Sequence, residues 1–225
     1  MNQNNDIIDI MKESDERHSR LREALGLAIT TRKDNELLAK INWWFYSDEV
    51  LKEAGFTKHS MHGSANSSGI HAAMLDYPWL DLYDFMNHEE IHWVWGRKFG
   101  EAPAILNEGI AEYFQHILNP QQLNQLNDVR SVLETEGTGF LDTLANNDGF
   151  WKAYSTRFPV RKVAGLFTRY LVEHYSVEKV QDIFMNTYYE DNRLPEIIHS
   201  ITSKSLIDIE MDILLKNDLN EYEWL

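Results

Sequence analysis

Two stretches, His88-Glu89-Glu90-Ile91-His92 and Asn107-Glu108-Gly109-Ile110-Ala111-Glu112-Tyr113, decide how this chain is read. An α-helix turns once every 3.6 residues, so His88 and His92 share one helix face and can bind a single metal ion. Glu89 directly follows the first histidine, where it reaches a water on that metal rather than the metal itself. Catalytic zinc takes three protein ligands and leaves a fourth position to water, and two histidines with one glutamate are a known set. Glu108, on a second predicted helix, supplies the third ligand. The pattern reads as a hydrolytic zinc site with one zinc per chain.

A plainer reading is a solvated helix face that happens to carry two histidines and two glutamates. The neighbours oppose it. Phe85, Met86, Ile91, Trp93, Val94 and Trp95 surround the motif on nearly all sides, as on a buried helix. Buried imidazoles and carboxylates need compensation, and a divalent cation provides it.

Composition narrows the classes. The 225 residues suffice for a sizeable core, and 43 % hydrophobic content with seven Trp, ten Tyr and ten Phe indicates a globular chain. A net charge of −15 argues against nucleic acid and anionic membrane surfaces as partners. No cysteine is present, which removes disulfides, thiolate catalysis and cysteine-type structural zinc. Neither a signal-peptide pattern nor a stretch of membrane-spanning length is found, so a cytoplasmic protein is expected.

Along the chain, residues 1–34 read as an N-terminal helical arm and 35–225 as one domain. Lys40 to Tyr46 is aromatic and β-rich, a strand, and Ser47 caps a short helix from Asp48 to Ala54. His59 to Ser68 reads as a loop, in which His59 and His62 form a weak second metal pair. Gly69 to Leu75 reads as a strand bordering the site, an exposed edge on which an extended peptide can pair. Leu80 to Phe99 is the metal helix, ended by Gly100. Pro103 opens a helix from Ala104 to Leu118. Residues 121–150 read as a helix and an irregular stretch. Val163 to Tyr175, Val177 to Asn186 and Ser205 to Leu215 read as helices.

The two metal motifs together resemble the gluzincin branch of zinc metallopeptidases, and within it the peptidase MA-like group, whose second motif runs Leu-x-Glu-Gly-hydrophobic-Ala-x-Tyr. The segments Ala164–Tyr175 and Ser205–Glu210 are similar to later helices of that group. The resemblance implies an α+β, mainly helical, zincin-like (thermolysin-like) fold with a small β-containing N-terminal lobe and a helical C-terminal lobe. It implies zinc ligands His88, His92 and Glu108, with Glu89 as general base. It also implies a supporting role for Glu112, accepting a hydrogen bond from a liganding histidine, which fixes that ring's tautomer. The sequence departs from the group where related proteins place an oxyanion-binding Tyr. Arg161 and Lys162 stand there, and either cation can stabilise developing negative charge. Tyr154, Tyr170 and His174 are the other candidates for that task.

The expected activity is hydrolysis of amide bonds in a peptide or protein substrate, without a covalent enzyme intermediate. Two other readings stay open: a zinc-site protein of the same fold with little turnover, acting in binding or regulation, and an acidic helical protein without metal.

Overall fold

The computed structural model describes residues 19–20, 23, 41–46, 48–55, 60–66, 69–75, 80–118, 127–156 and 159–215. The chain divides into two compact units, 1–98 and 99–225. Its architecture is α+β and mainly helical, with one small three-stranded sheet among the described residues. No described helix is long and apolar enough to cross a membrane. The expected N-terminal arm lies almost wholly outside the described residues, of which Ser19, Arg20 and Glu23 are helical.

The first unit contains β1 (Trp43–Phe45), α1 (Asp48–Glu53), β2 (Ser60–Asn66), β3 (Gly69–Leu75) and α2 (Leu80–Phe99). The sheet runs in the order β1-β3-β2. β1 lies parallel to β3 with Trp43 opposite Ile70, and β2 lies antiparallel to it with Asn66 opposite Gly69. Two sequence expectations fail here.

The stretch read as a loop from His59 to Ser68 contains strand β2. Its small and polar residues carry little strand propensity, but the backbone ladder to β3 forms regardless, because such propensity yields to tertiary pairing. His62 lies on that strand, whereas His59 falls outside the described residues. In turn, β3 is the central strand and not an exposed edge. Both its sides are taken by partners, and Ile70 and Ala72 are buried.

Gly69 begins β3 at φ +140°, and the Ile70 N–H donates to the Asn42 carbonyl at 2.8 Å. A Cβ at Gly69 would lie 2.9 Å from the Asn42 side chain, closer than ordinary contact, so the approach of β3 to Asn42 requires glycine. In helix α2, Ile91, Trp93, Val94 and Trp95 are buried. The Arg97 guanidinium lies 4.0 Å from the Trp93 ring centre, a cation–π contact that covers the indole face.

The second unit contains α3 (Ala104–Leu118), α4 (Asn127–Glu136), α5 (Phe140–Leu144), α6 (Asn147–Thr156) and α7 (Val160–Tyr175), followed by α8 (Val177–Asn186), α9 (Leu194–Thr202) and α10 (Leu206–Leu215). The region expected to be partly irregular thus holds three helices. Helix α9 lay outside the sequence reading, although Pro195 at its start and Leu194, Ile198 and Thr202 at four-residue spacing mark it, all three buried. Phe114, Phe150, Phe167 and Phe184 fill the core.

Three polar devices fix the frame. The Glu210 carboxylate, fully buried on α10, accepts from the Gly139 N–H at 2.9 Å and the Leu141 N–H at 2.8 Å, satisfying the start of α5. Ser205 and Asp208 exchange side-chain bonds with each other's backbone N–H groups, a capping box that starts α10. Asn147 Oδ1 accepts from the Ala104 N–H at 2.7 Å and so anchors the first turn of α3.

Candidate metal centre

His88 and His92 stand one turn apart on α2, as their spacing requires. Their Nε2 atoms are 3.1 Å apart, and the rings meet edge to face with centres 4.7 Å apart. Nitrogen ligands at about 2.05 Å from a tetrahedral zinc are separated by roughly 3.3 Å. The imidazole pair therefore matches the span that a shared zinc demands. His88 is 3 % exposed, and Glu89 and Glu90 beside it are 7 % and 1 % exposed.

The ligand atoms offered by His88, His92 and Glu108 all lie within 4.8 Å of one another. Two neutral nitrogen donors and a carboxylate oxygen form a hard-to-borderline donor set that suits zinc. By distance and donor chemistry, these residues fit the ion that the sequence implies.

Helix α3 carries the second motif, and the structure explains two of its letters. Asn107 Nδ2 donates to the Ala102 carbonyl at 2.6 Å, and its Oδ1 accepts from the Ala102 N–H at 3.2 Å. This closed ring fastens the approach segment to the first turn of the helix. Gly109 faces α7, the main packing partner of α3. A Cβ at Gly109 would run into Thr168 Oγ1 and lie 2.5 Å from the Ala164 carbonyl oxygen, so only glycine permits this approach. Gly165 on α7 reciprocates, since a Cβ there would come within 2.9 Å of Glu112 Cβ. The motif glycine is thus the point where the two helices touch. Sequence reasoning located neither this contact nor the role of Asn107.

Glu108 and Glu112 stand one turn apart on α3, like charges on one face. Arg161, in the first turn of α7, answers both: its Nε lies 3.2 Å from Glu108 Oε2 and 3.3 Å from Glu112 Oε1. Burial of the guanidinium favours its neutral form, but Glu112, then Glu108 and a hydrogen bond with the Tyr154 side chain prevail and hold Arg161 above its ordinary pKa. Among the expected transition-state stabilisers, Arg161 thus pairs with these glutamates, and Tyr154 bonds to Arg161. Lys162 is half-buried on the same turn.

Tyr170 and His174 serve another cluster. The Tyr170 hydroxyl donates to Asp212 Oδ2 at 2.5 Å and accepts from the Lys204 ammonium at 3.2 Å, while Lys204 also pairs with Asp212. The His174 ring stacks on Tyr170 at 4.1 Å, and its Nδ1 donates to the Tyr170 carbonyl at 2.9 Å. Burial first, and then Asp212, push the Tyr170 hydroxyl well above the usual tyrosine range. These contacts join α7 to α10 and the turn before it.

Comparison with protein families, with curated proteins and with solved structures finds no match to this chain.

Proposed function

We propose that this protein is a zinc-dependent metallopeptidase of the gluzincin type, with a zincin-like fold, acting on a peptide or protein substrate. The observation that carries the reading is the pair of imidazoles on α2, one turn apart with Nε2 atoms 3.1 Å apart, in a buried setting. The convergence of Glu108 with them adds the third ligand. His88, His92 and Glu108 would hold the ion. Bound there, zinc lowers the pKa of water toward about 7 and polarises a carbonyl oxygen. Glu89 accepts the proton of the attacking water and returns it to the leaving amine, general acid–base work that a carboxylate beside a ligand is placed to do.

A second reading has one observation in its favour. The Arg161 guanidinium, a candidate for stabilising an oxyanion, is engaged with Glu108 and Glu112 and with the side chain of Tyr154, another such candidate. A zinc-site protein of this fold with little turnover, acting in binding or regulation, accommodates that engagement.

Metal analysis of purified wild type, His88→Ala and Glu108→Ala, followed by assay on a mixed peptide library, tests both. One zinc in wild type, its loss in both variants and hydrolysis that depends on zinc are expected. Full zinc occupancy in either variant overturns the ligand assignment, and zinc without hydrolysis moves the conclusion to the second reading.

A further inference from the structure

Helix α3 presents a physical problem that its motif creates. Two glutamates four residues apart on a helix repel each other. Here both side chains are largely buried, Glu108 at 16 % and Glu112 at 10 % exposure, where the repulsion is less screened than in water. The cation that answers them comes from α7, and α7 is held against α3 by the glycine contacts at Gly109 and Gly165. Arg161 Nε sits at nearly equal distance from one oxygen of each carboxylate. An arginine suits this position because its donors fan out in a rigid plane and its charge survives burial.

We infer that Arg161 is a positioning residue: it bridges Glu108 and Glu112, aims the Glu108 carboxylate and thereby sets the affinity of the centre for zinc, rather than binding an oxyanion. The inference rests on the zinc reading of His88, His92 and Glu108. It assigns Arg161 a task different from the one its place in the sequence suggests. The nearby Tyr154 side chain, hydrogen-bonded to the guanidinium, holds the bridge from α6.

Zinc titration of the full-length metal-free protein against a chromophoric chelator tests this, using Arg161→Gln, Arg161→Lys and Arg169→Gln beside wild type. Arg169 pairs with Glu173 on the same helix at 2.5 Å, so Arg169→Gln controls for loss of a buried ion pair as such. Arg161→Gln is expected to bind zinc roughly 10–100-fold more weakly, the usual cost of removing a partner that orients a ligand. Arg161→Lys keeps the charge without the planar fork and should fall between the two. Arg169→Gln should bind as wild type does.

Where hydrolysis is measured, Arg161→Gln should recover its rate as zinc is raised to saturation. Affinity in Arg161→Gln equal to or above that of wild type overturns the inference, as does a rate that stays low at saturating zinc, the mark of a transition-state role. If Arg161→Gln does not fold by circular dichroism, Arg161→Lys decides, and unchanged affinity there overturns the bridge. Wild type that binds no zinc overturns the metal reading together with the inference. Wild type that binds zinc while the Arg161 variants bind equally well overturns the inference alone.

Discussion

On the proposed reading, Glu89 separates binding from turnover, because it stands beside a proposed ligand without being one. Glu89→Gln preserves shape and removes the base. Zinc content and melting temperature should stay near those of wild type, while peptide hydrolysis should fall by roughly 10²–10⁴-fold, the usual contribution of a positioned general base. Hydrolysis retained by the variant would sink the assignment. The residues at this scale were the most legible ones. Helical periodicity alone places His88 and His92 on one face, and the motif on α3 nominates Glu108. Arg161 was legible only as a cation standing where a tyrosine was expected. Its partners lie 49 and 53 positions earlier in sequence, and no local pattern spans that separation.

Elements with local boundary signals were read and those without were missed, for a reason visible in the elements themselves. Helix α2 was bounded from Leu80 to Phe99 by its own composition and the Gly100 that stops it, and α8 from Val177 to Asn186 likewise. Strand β2 has no such local signature, since it is defined by its ladder to β3. The α3–α7 contact is the element-scale feature that holds Arg161 beside Glu108 and Glu112. Gly109→Ala would force a methyl group against Thr168 and the Ala164 carbonyl and drive the helices apart. Overpacking of this kind costs typically about 1–3 kcal/mol. Urea unfolding should show a lowered midpoint with little change in slope, and a midpoint equal to that of wild type would show that the helices do not approach there.

Stability of the whole molecule should depend on pH through the cluster that ties α7 to α10. Lys204 first, and the Tyr170 hydroxyl second, hold the Asp212 carboxyl below the usual carboxylate range. A depressed folded-state pKa means that the bound form is ionised. Its contribution is therefore fully present above the unfolded value of about 3.9 and is lost as pH falls through the lower folded value. Side chains of Asp212 and Lys204 are each more than a third exposed, so solvent screens the pair and its contribution is small. Asp212→Asn should melt slightly below wild type at neutral pH, and the gap should close in acid below that range. A gap that stays constant with pH would place the effect in packing instead of charge.

What the sequence determined by itself is the pattern that repeats locally: two histidines on one helix face, a glutamate beside the first, a further candidate ligand on a helix of its own, and a predominantly helical chain. These follow from 3.6-residue periodicity and residue type, which act over one or two turns. Tertiary structure alone decided that β3 is a central strand, that Gly109 is the seat of a helix crossing and that Glu210 closes the start of α5. It also decided that Arg161 faces two glutamates. Each of these joins residues far apart in sequence, and such contacts depend on how elements pack rather than on what any one of them spells.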